Sequence, residues 1–187
     1  MTLQFCAYLF PWKKLAAANS ILKRDLKNVF ISDNDFAFQV LPDADPQEIV
    51  LAVILRKIIA DDCRIEREQI ASNYPLKDLE SLMQDTTFLG WIWGGFLWNG
   101  YDYDRVRMRL WDYVDTIYGK RTPYIFTSDK LYYILTFSQL ENPIFFTNPS
   151  FGNWVRLVVQ EINRILLDNG IIFSEEQCHS FDIKAAS

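Results

Sequence analysis

The segment that most restricts the fold is residues 43–62, which read DADPQEIVLAVILRKIIADD. Asp45 suits the position that caps a helix, Pro46 suits its first turn, and Glu48 is the capping-box residue three positions further on. The middle of the segment is apolar on nearly every side of a helical wheel. A helix that is apolar all round is stable only inside a fold. The sequence therefore predicts a helix that lies deep in the protein.

The rest of the chain can supply the layers around this helix. The chain has 187 residues, of which 50% are hydrophobic and 23% are charged, and this balance suffices for one core. No linker, low-complexity tract or repeat interrupts the sequence. We therefore expect a single domain over 1–187, with a C-terminal tail at 175–187 that could be mobile.

Further helices are predicted on both sides of the central segment. Amphipathic patterns are bounded by typical signals, such as Pro11 at a start and Gly119 or Gly170 at an end. Two shorter helices are predicted before and after Pro75. The predicted ranges are 11–28, 67–74, 75–86, 103–120 and 149–170.

Two regions are predicted to form β-structure. The run VFISDNDFAFQVL (29–41) has β-rich arms on either side of Asp33 and Asn34, a turn-forming pair, and indicates a hairpin. Residues 124–147 contain three β-rich runs joined by short turn signals and indicate an antiparallel meander. The expected fold is therefore α+β, with helices packed on one face of a small antiparallel sheet.

The charge balance argues against nucleic acid as a partner. The chain has 24 acidic and 19 basic residues, a net charge of -5, whereas binding to a duplex usually relies on a basic excess. Residues 31–104 hold fourteen acids and five bases. Such an acidic section keeps a protein soluble and attracts basic partners. We therefore expect a basic protein as partner and no nucleic acid.

Neither a membrane segment nor a signal peptide is indicated. The aromatic-rich run at 88–98 has eleven residues, whereas a spanning helix needs about 20. The first residues lack the basic region and cleavage site of a signal peptide. Cys6, Cys63 and Cys178 are odd in number and widely spaced, which favours free thiols over a disulfide framework. We expect a cytoplasmic protein that does not bind membranes.

The sequence contains no recognisable catalytic, metal or cofactor site. His179 is the only histidine, and the side chain of its neighbour Cys178 would usually point away from it, so a thiol–imidazole pair is not indicated. No glycine-rich phosphate loop is present. Asp112 and Asp115 could share a helix face and bind magnesium, but nearby arginines can pair with the same carboxylates. We expect no catalytic residue, no metal and no cofactor.

The stretch 88–107, FLGWIWGGFLWNGYDYDRVR, indicates a binding function instead. Its first half contains so many rings that we expect it to pack inward. Its second half alternates tyrosine with aspartate ahead of a helix, where a carboxylate can cap the first turn. Aromatic and acidic side chains together are typical of faces that bind basic proteins. The predicted partner-binding residues are Trp98, Tyr101, Asp102, Tyr103 and Asp104, extended by Asp33 and Asp35 in the predicted hairpin turn.

These observations lead to one functional hypothesis and two alternatives. The hypothesis is an acidic protein-binding module, an immunity or antitoxin protein that neutralises a basic toxin such as a nuclease by direct contact. The first alternative is an enzyme of unfamiliar type with a carboxylate site. The second is an adaptor, or a subunit of an oligomer joined through the aromatic stretch. The sequence does not indicate the oligomeric state.

Overall fold

The structure is a computed structural model of the full chain. It describes residues 11–83, 103–122, 125–126, 128–135 and 150–178, although not the side chains of 11–15, Tyr103 and Tyr133. The predicted third strand and most of the aromatic stretch at 88–107 lie outside these residues.

The described residues form seven α-helices and one short 3-10 helix, and none of them forms a β-strand. The single isolated β-bridge within this part of the chain joins Pro75 to Ser150. The predicted α+β class is therefore wrong for the described residues, which are helical. The α-helices are α1 (Pro11–Leu26), α2 (Asp33–Val40), α3 (Pro46–Cys63), α4 (Leu76–Met83), α5 (Tyr103–Tyr118), α6 (Asp129–Leu135) and α7 (Phe151–Asp168), and the 3-10 helix is Arg67–Gln69.

The predicted hairpin at 29–41 is helix α2 instead. Ser32 caps this helix, because its hydroxyl oxygen accepts a hydrogen bond of 3.1 Å from the backbone N–H of Asp35. Phe36 and Val40 are four residues apart, so a helix puts both on one face, and both are buried. The same residues also alternate along a strand. The run is too short for its periodicity to distinguish the two structures.

In the predicted meander at 124–147, the run that follows Ser128 is a helix and not a strand. Helix α6 covers Asp129–Leu135, and the hydroxyl of Ser128 accepts a hydrogen bond from the backbone N–H of Leu131 at 3.4 Å. Leu131, Ile134 and Leu135 recur at helical spacing and are buried. Aromatic and β-branched side chains favour strands only weakly, and packing overrides that preference here. Residues 136–149 lie outside the described part of the chain.

The helices with strong boundary signals are confirmed. Helix α3 begins with a capping box, in which the Asp45 carboxylate accepts from the Glu48 N–H at 2.8 Å and the Glu48 carboxylate accepts from the Asp45 N–H at 3.3 Å. Helix α5 is followed directly by Gly119, and α7 is followed by Gly170 after one intervening residue; both glycines have a positive φ. The predicted helix at 67–74 is reduced to three residues of 3-10 helix.

Helix α3 lies at the centre of the described structure, as its composition predicts. Helices α2, α4, α5 and α7 all pack against it. Its residues Leu51, Ile54 and Leu55 are 0% exposed. One buried hydrophobic cluster runs from Leu26 to Cys178. Residues 175–178 of the predicted tail form a helical turn, and the rest of the tail is not described.

None of the described helices combines the length and apolar character that crossing a membrane requires. The single-domain organisation of the chain stays a prediction.

Candidate functional site

The structure describes only part of the predicted binding residues at the start of α5. Trp98, Tyr101 and Asp102 lie outside the described residues, and Tyr103 is the first residue of α5. Asp104 lies in the first turn of this helix, with 52% of its side chain exposed, and accepts a hydrogen bond from Arg107. Asp104 is therefore at the surface, as predicted, although an arginine on its own helix partly neutralises it.

Asp33, predicted as a turn residue of the binding face, has an internal role. Its carboxylate pairs with Arg56 at 3.0 Å and with Arg67 at 3.1 Å, and its side chain is 19% exposed. A carboxylate that already has two arginine partners has little charge left to offer a third cation. Asp33 therefore serves mainly to hold α2 in place.

Asp33 points inward because it pairs with the buried Arg56. The side chain of Arg56 is 0% exposed, and its guanidinium donates to the carbonyl oxygens of Ile70 and Ile31 as well as to Asp33. The guanidinium also lies over the ring of Phe36, 4.5 Å from its centre. Burial lowers the pKa of Arg56, and the charge of Asp33 and the hydrogen bond to it oppose that effect. This network joins the start of α2 to α3.

Asp35 remains available at the surface. It is exposed, and it accepts a hydrogen bond of 2.6 Å from the hydroxyl of Ser32. Asp33 and Asp35 therefore share the first turn of α2 but face different surroundings. Asp104 lies on α5, so the acidic residues predicted to form one face are divided between two helices.

Two phenylalanines close to Asp35 in the sequence were missed by the sequence reasoning. Phe30 is 80% exposed and Phe38 is 69% exposed, whereas Phe36 is fully buried. In a helix, two positions along the chain correspond to a rotation of about 200°, so Phe38 must face away from Phe36. The periodicity of 36, 37 and 40 would have placed Phe38 on the surface if the segment had been taken as helical. We call Phe30, Asp35, Phe38 and Asp43 the α2 face.

The segment that carries the α2 face has acidic but no basic side chains. Residues 28–55 contain five acidic side chains and no lysine, arginine or histidine. Of these acids, Asp35, Asp43 and Asp45 are exposed. Arg67 lies close by, but it pairs with Asp33 and Glu68 and is only 13% exposed. The α2 face therefore combines exposed aromatic rings with exposed acidic side chains.

Metal-binding clusters and reactive thiols are the first groups to consider for catalysis. No three histidine, cysteine, aspartate or glutamate side chains among them are grouped where they could hold a metal ion. The thiol of Cys63 is buried, and burial, followed by the charge of Asp62, raises its pKa to about 12. A thiol in that state is a poor nucleophile at neutral pH. His179 lies outside the described residues.

The aspartates considered for magnesium are engaged differently. Asp115 accepts hydrogen bonds from the backbone N–H of Thr122 at 2.7 Å and from the Thr122 hydroxyl at 2.6 Å. The Thr122 hydroxyl in turn accepts a hydrogen bond from the Trp111 indole at 2.8 Å. Asp115 therefore orders the turn after α5, while Asp112 is exposed.

Comparison of the chain with protein-family models, curated proteins and solved structures gives no significant match.

Proposed function

We propose that the protein is an acidic binding module that captures a basic protein partner through the α2 face. In its specific form the proposal is an immunity or antitoxin protein that neutralises a basic toxin, such as a nuclease, by covering it. The observation that carries the proposal is the exposure of Phe30 and Phe38 in a segment of 28 residues that contains five acids and no base.

The physical argument has two parts. Exposed rings supply most of the free energy of binding when a partner buries them, and phenylalanine does so at a small cost in side-chain entropy. The surrounding acids, Asp35 and Asp43, steer a basic partner and increase its association rate. The ion network of Arg56 and Asp33 holds the start of α2 to the core, so the α2 face is ordered before the partner arrives.

Two further elements belong to the proposal. The first is that the start of α5, with Trp98, Tyr101, Asp102, Tyr103 and Asp104, forms a second contact region, for which the exposure of Asp104 is the support. The second is a cytoplasmic location. Cys63 is a free thiol in the structure, a state typical of a reducing compartment.

The experiment starts with affinity capture from the native host and continues with the purified partner. We expect a basic protein that binds stoichiometrically and less tightly as the salt concentration rises. The double variant F30A/F38A should weaken binding by about a hundredfold, since each hot-spot ring is worth about 1–2 kcal/mol. D35N should mainly slow association. If the captured partner is a toxin, co-expression with F30A/F38A should fail to protect cells.

Matched controls identify the binding face. Leu167 is 50% exposed and lies sixteen residues beyond Phe151, the α7 residue that contacts Phe36, or about 24 Å along the helix. L167A and the exposed-acid variant E176Q should bind like the wild type.

Unchanged binding of F30A/F38A would contradict the proposal for the α2 face. If D104N loses binding and F30A/F38A does not, the partner binds at the start of α5 and not at the α2 face. A stable dimer that F30A/F38A disrupts would favour the assembly-subunit alternative.

A further inference from the structure

One cleft in the described structure has a charge opposite to that of the acidic α2 segment. Its volume is about 780 Å³, and it lies between one face of α1, the ends of α3 and α4, and the start of α5. Cavities of roughly 300–1,000 Å³ are typical of sites for small molecules. We call it the α1 cleft.

The α1 cleft is positively charged in a chain that is negative overall. Five basic and two acidic side chains line it, a net of +3, whereas the whole chain has a net charge of -5. Low-dielectric walls concentrate the field in such a cleft and attract anions.

The two acids of the α1 cleft are already paired. Arg105 and Arg109 both donate to the Asp62 carboxylate, and Arg109 also donates to Asp61. By contrast, Lys23, Lys27 and Arg64 form no ion pair with any carboxylate of the described residues. These three cations therefore have charge to offer to a ligand.

The geometry of α1 places two of these cations together. The backbone N–H of Lys27 donates to the carbonyl of Lys23 at 3.3 Å, so the helical turn continues past Leu26 and the two lysines are one turn apart. Positive charge at the end of α1 also favours the helix. The stabilisation of α1 does not explain why Arg64, the residue directly after α3, also lines the α1 cleft.

The remaining walls are preformed and partly apolar. Asn19 donates to the backbone carbonyl of Ser81 at 2.8 Å and accepts from the Ser81 hydroxyl at 2.9 Å, which joins α1 to α4 beside the α1 cleft. Ile21, Leu82 and Met83 supply apolar lining, and Ile21 is 53% exposed. A ligand that contacts both the cations and the apolar side chains of the α1 cleft has an anionic end and an apolar end.

We propose that the α1 cleft binds a phosphorylated small molecule with a nonpolar part, such as a nucleotide. Lys23, Lys27 and Arg64 would hold the phosphate oxygens, and Ile21, Leu82 and Met83 would contact the base. This site is separate from the α2 face and does not depend on partner binding there.

The test measures binding of ATP, adenosine and inorganic phosphate by calorimetry with the purified full-length chain. We expect ATP to bind at least about tenfold more tightly than either part alone, because it alone engages both the cations and the apolar wall. The double variant K23Q/K27Q should weaken ATP binding by about tenfold or more. K77Q removes an exposed lysine of α4 that does not line the cleft, and it should bind like the wild type.

A substitution of Arg64 can remove a cation from the α1 cleft without destabilising the protein. Arg64 has a left-handed backbone with φ of 57°, which glycine adopts without strain. R64G should therefore weaken ATP binding several-fold while its melting temperature stays the same or rises. The absence of ATP binding at millimolar concentration would overturn the proposal. Equal binding by the wild type and K23Q/K27Q, or an equal loss in K77Q, would overturn it as well.

Discussion

At the scale of single residues, Arg56 illustrates how one buried charge can organise its surroundings. Its guanidinium satisfies the backbone carbonyls of Ile31 and Ile70, which belong to the segments before α2 and after the 3-10 helix. The charge itself is balanced by Asp33. Removing one partner of a buried ion pair leaves the other charge without compensation in a medium of low dielectric constant.

We therefore predict that D33N destabilises the protein by about 3 kcal/mol, since it leaves Arg56 buried without its carboxylate. Chemical denaturation followed by circular dichroism would measure the change in the free energy of unfolding. D35N is the matched control on the same helical turn, and it should cost less than about 1 kcal/mol because Asp35 is exposed. Equal costs for the two variants would contradict the internal role of Asp33.

At the scale of elements, backbone contacts and buried amides fix how α7 lies in the fold. The Gln47 side chain of α3 donates to Asn163 of α7 at 2.6 Å, and it accepts from the backbone N–H of Phe173 at 2.7 Å. At the other end of α7, the N–H groups of Phe151 and Gly152 donate to the carbonyls of Tyr74 and Ser72. Helix α7 is therefore held at both ends.

The close approach at Gly152 leads to a second prediction. A Cβ atom at this position would lie 2.8 Å from the carbonyl oxygen of Ser72, a backbone atom that cannot rotate away. G152A should destabilise the protein by about 1–2 kcal/mol, because overpacking outweighs the better helix propensity of alanine. Q160A, at an exposed position of the same helix, should stay within about 0.5 kcal/mol of the wild type. Thermal unfolding of both variants is the measurement, and a more stable G152A would disprove the clash.

At the scale of the whole molecule, the packing of α6 on α7 depends on one buried carboxylate. The Glu161 side chain is 1% exposed and pairs with Lys130 at 2.8 Å and with Arg164 at 2.6 Å. Burial by itself raises the pKa of Glu161. The hydrogen bonds from Arg164, Lys130 and Ser128, together with the charge of Lys130, outweigh burial and lower the pKa from 4.5 to about 2.

This depressed pKa makes the stability of the fold dependent on pH. A carboxyl group with a lower pKa in the folded state stabilises the protein above its unfolded pKa, and that contribution is lost as the pH falls through the folded pKa. Between pH 5 and pH 2, the wild type should lose up to about 3 kcal/mol from this group, and less where water screens the exposed ends of Lys130 and Arg164.

Denaturant titrations of the wild type and E161Q across this pH range would measure the effect. The difference in unfolding free energy between the two proteins should be largest near neutral pH and should shrink toward pH 2. E176Q, which alters an exposed glutamate, should track the wild type. A difference that does not change with pH would show that Glu161 does not titrate in this way.

The sequence alone determined the elements whose signals are local. Asp45, Pro46 and Glu48 make the start of α3 recognisable because a capping box is built within four residues. The apolar character of α3 likewise determined its central position. Helices α1, α5 and α7 were predictable for the same reason, since a periodic pattern over sixteen or eighteen residues distinguishes a helix from a strand.

Only the tertiary structure decided the nature of α2 and α6 and the location of the α2 face. Eight and seven residues are too few for periodicity to separate a helix from a strand. The outcome for α2 depends on Arg56, which lies 23 positions after Asp33 in the sequence. The pairing of those two residues turns Phe36 inward, and the helical rotation then turns Phe38 outward. Contacts over such separations have no local signature, so residues 29–41 by themselves did not show that the segment is a helix, and the outward position of Phe38 follows only once the helix is known.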